Sequence, residues 1–287
     1  MNKQFPRTTV AGVSLPRFLI GSNWLLGYSH RSVAADEQIK QRFSAKEDFF
    51  PIFETFMRHG IDATMGLPSQ AIIMSDAVKY AEDKLGKKIT IVDTPIINVD
   101  NNEQARREAQ ASIKKSAEIG STFCLLHHSC CEQLVNKNTK TIDRLSDYTQ
   151  MIREAGMIPG LSAHMPEIVL YSDLNEYDVE TYIQLYNPLG FLMQVEVEYI
   201  SKVIHNAKKP VMTIKPMAAG RTTPYVGLNF VWNTIRPCDM VTVGVTSQLE
   251  AEEDIEISFA ALERRYPDLK GRTSPNTKQD AFGGNKA

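Results

Sequence analysis

Eight short apolar runs recur along the chain at a nearly regular interval, and this interval restricts the fold more than any other feature. Successive runs begin about 32 residues apart on average, which is roughly the length of a strand, a helix and two loops. The pattern therefore predicts eight βα units. The eight predicted strands span residues 17–21, 60–64, 89–93, 122–127, 157–162, 182–186, 210–215 and 240–244.

Amphipathic segments separate several of these runs. Residues 69–86, 101–120 and 139–156 place apolar side chains at helical spacing, and each segment ends on a glycine just before the next apolar run. Helices that alternate with mostly apolar strands indicate a parallel sheet covered by helices. Eight units favour closure into a (β/α)8 TIM barrel over an open doubly wound sheet, since the chain has no glycine-rich nucleotide-binding motif.

The predicted domain organisation is a single α/β barrel over residues 1–270. The extra length at residues 27–50 is predicted to form a loop and a short helix over one mouth of the barrel. Residues 271–287 are polar and carry no periodicity, so they are predicted to be a mobile C-terminal tail.

The composition excludes several classes of function. A net charge of −2 from 32 basic and 34 acidic side chains gives no electrostatic reason to expect nucleic acid or an anionic membrane as partner. No apolar run approaches the roughly 20 residues of a spanning helix, and no secretory signal is expected. Four cysteines are too few for a disulfide scaffold in a chain of this length, so we predict reduced thiols in a cytoplasmic protein.

Polar side chains concentrate at the carboxyl ends of the predicted strands. These ends form the mouth of a TIM barrel at which active sites lie. The concentration therefore predicts an enzyme. The candidates at the successive strand ends are Asn23, Asp62, Asp93, His127 with His128, His164, Asn187 and Lys215, followed by the turn at residues 244–247.

Each of these residues also has a purely structural interpretation. Lys215 is favoured as functional, because an inward lysine at a strand end is costly to bury without a purpose. His127 and His128 should alternate across a strand, so at most one of them is expected to face the mouth. Asp62 is equally well explained by a hydrogen bond to a loop, and His164 by capping or bracing a loop. The other histidines are predicted to lie on the surface: His30, His59 and His205.

The last two strand ends predict an anion site. Gly244, Thr246 and Ser247 lead from a strand directly into a helix, whose first backbone N–H groups can receive a phosphate or carboxylate. Gly220 and Arg221 in the preceding loop offer a close backbone approach and a guanidinium group. The alternative is that Thr246 or Ser247 only caps the helix.

Several stretches of the chain resemble the aldo/keto reductase superfamily of barrels. Leu-Leu-His-His at 125–128 is similar to the strand that carries the catalytic histidine of that family. The order and spacing of the similar motifs extend over nearly the whole chain, and the resemblance implies the same barrel fold. The other motifs are FLIGSNW at 18–24, GIDAT at 60–64, GLSAH at 160–164, KPMAAG at 215–220 and VGVTSQL at 243–249.

The aldo/keto reductase family reduces carbonyls with an Asp, a Tyr, a Lys and a His. This chain lacks most of these residues at the matching positions, so the resemblance does not imply the same chemistry. Met65 stands where the Asp belongs, residues 66–69 lack the tyrosine, and Pro95 stands in place of the lysine. Only a histidine remains, at His127 or His128. The acidic segment 248–256 replaces the basic residues that bind the 2′-phosphate of NADP. NADP is therefore not expected as a cofactor.

The residues favour a non-redox enzyme with lyase or isomerase chemistry on a small polar, carbohydrate-like or anionic substrate. Proton transfer next to a carbonyl needs a base and a cation, which Lys215 and its neighbours can supply. The predicted catalytic residues are Lys215, His127, His128, Asp62 and Asp93. The predicted substrate-binding residues are Asn23, His164, Asn187, Gly220, Arg221, Gly244, Thr246 and Ser247. A divalent metal, Zn, Mn or Fe, would be held by His127, His164 and Asp93.

Two other functions stay open from the sequence. A reductase that keeps a nicotinamide cofactor would need Tyr28 or Tyr186 to donate the proton in place of the missing tyrosine. A catalytically inactive barrel used as a binding module would not need polar groups at six strand ends. The expected partner is a small-molecule substrate. The sequence is compatible with a homo-oligomer, although no sequence feature requires one.

Overall fold

Eight parallel strands close into a barrel in the structure of the protein, a computed structural model that describes residues 3–269. Each strand pairs with the next, and β8 pairs with β1 through Val241–Phe18 and Val243–Ile20. The predicted α/β barrel is thereby confirmed, whereas the predicted mobile tail at 271–287 lies outside the described residues. The barrel strands are β1 (Phe18–Gly21), β2 (Ala63–Gly66), β3 (Thr90–Asp93), β4 (Phe123–Leu126), β5 (Ile158–Ala163), β6 (Tyr182–Leu185), β7 (Val211–Ile214) and β8 (Met240–Val243).

Helices connect the strands and cover the barrel. The segment at 27–50, expected to hold a loop and a short helix, contains α1 and a 3-10 turn at Lys46–Phe49. The helix predicted over 69–86 ends at Gly86, whose φ of 62° is the left-handed conformation that glycine adopts readily. The helices are α1 (Val33–Arg42), α2 (Phe50–Arg58), α3 (Ile72–Leu85), α4 (Glu103–Glu118), α5 (His128–Cys131), α6 (Leu145–Glu154), α7 (Pro166–Asn175), α8 (Val197–Asn206), α9 (Pro224–Thr234) and α10 (Gln248–Glu263).

An N-terminal hairpin that the sequence patterns did not predict closes the bottom of the barrel. Its strands, Arg7–Val10 and Val13–Pro16, are antiparallel. Val10 and Leu15 are almost fully buried and join the cluster of side chains that fills the barrel interior. Burial of each such side chain contributes about 1.5–3 kcal/mol. With the bottom closed, the mouth at the carboxyl ends of the strands is where a ligand can enter.

A buried ionic network joins the start of β1, β7 and β8 at the bottom of the barrel. Asp239 is fully buried, forms an ion pair of 2.7 Å with Arg236, and accepts the backbone N–H of Val211 at 2.9 Å. Arg17 donates to the backbone oxygens of Asp239 and Arg236. A further hairpin, Val135–Asn136 with Thr141–Ile142, lies between β4 and β5.

Within residues 3–269, every helix is too short or too polar to cross a bilayer.

Candidate active site

A cavity of about 740 Å³ opens at the carboxyl ends of the barrel strands. That volume lies in the range of small-molecule sites. Its floor and walls come from all eight barrel strands or from the loops that directly follow them. Side chains and backbone from those strand ends include Asn23, Met65, His127, His164, Lys215 and Gly244.

Two histidines that were expected to point apart both line this cavity. The strand β4 ends at Leu126, and helix α5 begins at His128. The side-chain alternation of a strand therefore no longer applies to His127 and His128, and the expectation that only one of them faces the mouth is wrong. Their ring centroids are 4.2 Å apart, and the ring of His128 stacks on that of His164 at 3.7 Å.

Burial keeps two of these imidazoles neutral. Burial, together with the smaller effects of the nearby charges of His128 and Lys215, lowers the pKa of His127 to about 4 and that of His164 to about 3. The Nδ1 atom of His127 lies 2.8 Å from the hydroxyl of Ser129. The cavity wall at β4 and β5 is thus a cluster of imidazoles, and its neutral members can accept hydrogen bonds or bind metal ions.

Glu132 belongs to the same cluster, although the sequence analysis did not select it. Its Oε1 atom accepts the backbone N–H groups of His164 and Met165 at 2.9 and 3.1 Å and lies 3.8 Å from Nδ1 of His128. Burial raises the pKa of Glu132, but the proximity of His128 and the backbone bond outweigh it, so the net shift is downward. The spacing of four residues from His128, one helical turn, is the sequence pattern that could have indicated this carboxylate.

Lys215 follows β7 and reaches the cavity from the side of the barrel next to the imidazoles. Its backbone is left-handed, with φ of 57°, a strained conformation for a residue with a side chain. Burial lowers the pKa of its amine to about 8. No carboxylate of the described residues lies within 4 Å of the amine.

Three buried polar atoms in the cavity wall have no hydrogen-bond partner within the described chain. They are Oδ1 of Asn23, Nδ1 of His128 and Oγ1 of Thr242. An unpaired buried polar atom costs about 1–3 kcal/mol. Three such atoms around one cavity indicate that the cavity binds a polar ligand or ordered water.

The loop before α1 and the loop after β7 form the rim. Tyr28, His30 and Arg31 line the cavity, and His30 is exposed on its loop, as expected. Arg221 donates to the backbone oxygen of His30 at 3.3 Å and lies on the ring of Phe191 at 3.8 Å. The guanidinium thus holds the two loops together. Gly220 and Gly244 also line the cavity, as expected, and Trp24 approaches Gly244 so closely that a β-carbon there would lie 3.0 Å from it.

The two aspartates proposed for catalysis are not in the cavity. Strand β2 begins at Ala63, later than the predicted 60–64, so Asp62 lies at the opposite end of the barrel and forms an ion pair of 2.9 Å with Arg7. Asp93 faces the helices, where its carboxylate accepts from Ser116 of α4 and from the N–H of Ser69. Burial raises the pKa of Asp93 against the effect of these hydrogen bonds.

Three residues proposed for substrate binding have structural partners instead. The amide of Asn187 makes three hydrogen bonds within its own loop, to Leu189 and Phe191. Ser247 caps α10 by accepting the N–H of Glu250. The carboxylate of Glu250 accepts both the N–H and the hydroxyl of Thr246, at 2.6 and 2.9 Å. The predicted anion position therefore already holds a carboxylate of the chain.

The two tyrosines considered as proton donors differ in position. Tyr186 is buried, and its hydroxyl donates to Thr234 in the helical layer at 3.1 Å. Tyr28 lines the cavity and is 54% exposed. Of the two, only Tyr28 presents its phenol to the cavity that the histidines also line.

The lowered pKa of the Lys215 amine can be measured directly. We expect the rate of its acetylation by an amine reagent to reach half of its maximum near pH 8, because burial lowers the pKa to about 8. Lys88 is the internal reference, since its hydrogen bond to Glu82 raises its pKa. The measurement is peptide mass spectrometry over pH 6–11, normalised for each lysine. A shared midpoint for the two lysines would contradict the effect of burial.

Comparisons with known proteins bear on the fold. No family model matches the chain, and no curated protein matches it. A solved structure of a candidate aldo-keto reductase from Pseudomonas aeruginosa is similar over 91% of this chain and 98% of its own, with 13% identity and a TM-score of 0.64. The aldose reductase of Giardia lamblia is similar over 93% and 90%, with 12% identity and a TM-score of 0.53.

A structure that is not an aldo-keto reductase is also similar to this chain. The archaeal Rubisco of Hyperthermus butylicus is similar over 77% of this chain and 57% of its own, with 12% identity and a TM-score of 0.50. The comparisons confirm the aldo/keto reductase-like barrel fold. At these identities they establish the fold alone, because one barrel fold serves many chemistries.

Proposed function

We propose that the protein is a non-redox enzyme of lyase or isomerase type that moves a proton next to a carbonyl or carboxylate group of a small polar substrate. The observation that carries the proposal is Lys215, a buried amine in the cavity at the carboxyl end of β7 that forms no ion pair within residues 3–269. A lysine in such a position is expensive to maintain. Its cost is explained if the amine itself takes part in the reaction.

In the proposed reaction the same amine removes the proton and later returns it. The neutral amine of Lys215 takes a proton from the carbon next to the carbonyl and becomes an ammonium, while the C–H electron pair moves into an enolate. The ammonium then returns the proton to another carbon, or to a leaving group. A pKa of about 8 places both forms within reach near neutral pH.

The cavity supports a substrate with several oxygen atoms. Asn23 and Thr242 present unpartnered buried oxygens, which suit the hydroxyl groups of a sugar-like compound. Arg31 and Arg221 line the rim and suit a carboxylate or phosphate. A sugar acid or a phosphorylated sugar would meet both requirements.

A reductase is the second candidate, favoured by the phenol of Tyr28 at the cavity. Against it, Met65 lies in the cavity wall where the related reductases would have an Asp, and Glu250, Glu253 and Asp254 line the cavity after β8. At the end of β8 these carboxylates would repel the 2′-phosphate of NADP. A catalytically inactive binding module is the third candidate. A cytoplasmic location and a homo-oligomeric state are further predictions.

Cofactor titration separates the first two candidates. We expect no quenching or shift of NADPH fluorescence at micromolar protein, and the same result with NADH, because the charges at the end of β8 are acidic. The control is a nicotinamide-dependent barrel reductase titrated under the same conditions. Low-micromolar binding of NADPH, with turnover of simple aldehydes, would establish the reductase.

Solvent isotope exchange tests the proposed function itself. The protein is incubated in D₂O with a panel of small hydroxy acids, oxo acids and sugar phosphates, without added nucleotide. We expect loss of a C–H signal next to the carbonyl in the ¹H NMR spectrum for one class of compound. Exchange at the rate of the protein-free sample for every class would reject proton transfer as the function.

A further inference from the structure

Three possible metal ligands lie together on the β4–β5 side of the cavity: His128, Glu132 and His164. One ligand atom from each lies within 4.8 Å of the other two. We propose that these residues bind a divalent transition-metal ion, in the first place Zn²⁺, with a coordination position open to the cavity. This ligand set differs from the one predicted from the sequence. Asp93 faces the helices and His127 bonds to Ser129, so that only His164 is common to both sets.

Two adjacent elements present the three side chains. His128 begins α5 and Glu132 follows one helical turn later, so both lie on the same face. His164 comes directly after β5. The backbone N–H groups of His164 and Met165 bind Oε1 of Glu132, which holds the carboxylate against the imidazoles and does not use Oε2.

The distances require only a small contraction to reach metal geometry. Ligands of tetrahedral zinc lie about 2.0–2.1 Å from the ion, and therefore roughly 3.3 Å from one another. Nδ1 of His128 and Oε1 of Glu132 are 3.8 Å apart, and all three ligand atoms lie within 4.8 Å of one another. Rotation of the two stacked imidazoles by about 1 Å at their ligand atoms would close the site. Nδ1 of His128 breaks no hydrogen bond within residues 3–269 when it does so.

The chemistry of the ligands selects the ion. Two imidazoles and one carboxylate suit Zn²⁺ and related transition metals, whereas Ca²⁺ and Mg²⁺ prefer oxygen ligands. Both histidines line the cavity. Three protein ligands with one open position are the arrangement of catalytic rather than structural zinc sites. An ion there would polarise a substrate oxygen, a role that rests on the proposed function, whereas metal binding does not.

Lys215 lines the same cavity as His128 and His164. The charge of its ammonium reaches His127 and His164 strongly enough to affect both. The same charge repels a cation held by His164. Replacement by an uncharged side chain should therefore strengthen metal binding several-fold while it removes the proposed base.

The site can be tested by equilibrium dialysis. The purified protein is first stripped of metal with a chelator and then dialysed against Zn²⁺ or Co²⁺. We expect one ion per chain and, with Co²⁺, visible absorption bands of a four- or five-coordinate ion. His128→Ala, His164→Ala and Glu132→Gln should each weaken binding by at least the 10- to 100-fold that loss of even an outer-sphere partner causes. Lys215→Met should bind several-fold more tightly.

His127→Gln is the matched control, because this residue neighbours the cluster but lies outside the proposed ligand set. It should retain one ion per chain, and circular dichroism shows whether each variant is folded. The proposal is overturned if the wild-type protein binds no ion at 100 μM Zn²⁺, or if folded His164→Ala binds as well as wild type. Loss of the ion in His127→Gln alone would also overturn it. Metal binding without proton exchange would reject the proposed function and leave the site in place.

Discussion

Lys215→Met is expected to lower turnover by about 100- to 10,000-fold, the range for removal of a general acid or base. Methionine has a similar length and no charge, so it fills the same part of the cavity wall without the cost of a partly buried cation. The thermal midpoint should therefore stay the same or rise. The measurement is the isotope exchange rate with the substrate found in the NMR panel, alongside a thermal melt.

Two further substitutions show whether Lys215 acts as a base or only through its charge, and whether the effect is specific to this lysine. Lys215→Arg keeps the positive charge, but a guanidinium does not release its proton at these pH values. It should be as inactive as Lys215→Met if the amine is the base, and partly active if only its charge matters. Lys202→Met, on the exposed part of α8, should leave the rate unchanged. A folded Lys215→Met protein with more than half of the wild-type rate would place the chemistry elsewhere in the cavity.

Asp239→Ala is expected to cost about 3–5 kcal/mol of unfolding free energy, the usual result of removing one partner from a buried ion pair. Asp239 is fully buried, and both of its oxygens bind Arg236 while Oδ1 also accepts the N–H of Val211. Without the carboxylate, the guanidinium of Arg236 stays half-buried and unpaired. Equilibrium unfolding in urea, followed by circular dichroism, measures the change.

Asp178→Ala is the matched control for this change. Asp178 also pairs with an arginine, Arg153, at 2.7 Å, but its side chain is 58% exposed. Exposed pairs contribute about 0–1 kcal/mol, so the loss should be several-fold smaller than for Asp239→Ala. Equal losses in the two variants would show that the network at the bottom of the barrel is not what stabilises the strand ends there.

The spacing of the apolar runs was sufficient to predict the architecture. A βα unit has a narrow range of lengths, and eight such units have few ways to bury their apolar faces other than a closed barrel. The same reasoning located the mouth. Asn23, His127, His164 and Lys215 all line the cavity, because polar residues that directly follow a buried strand in a barrel come to the same end.

The orientation of individual side chains was beyond what the pattern could determine. A shift of one or two residues in a strand boundary reverses the face or the end at which a side chain lies. Strand β2 begins at Ala63, which leaves Asp62 at the bottom with Arg7, and Asp93 points outward toward Ser116. The end of β4 at Leu126 likewise brought both following histidines into the mouth.

The sequence by itself therefore determined the barrel, the end that carries the cavity and the lysine within it. Only the tertiary structure decided which groups share the site with Lys215. The contact of Glu132 with His164 spans 32 residues, and the unpaired state of Asn23, His128 and Thr242 depends on what every neighbouring loop supplies. The physical reason is that hydrophobic periodicity is a local property of the chain, whereas hydrogen-bond satisfaction and metal-ligand geometry depend on residues brought together by the closed barrel.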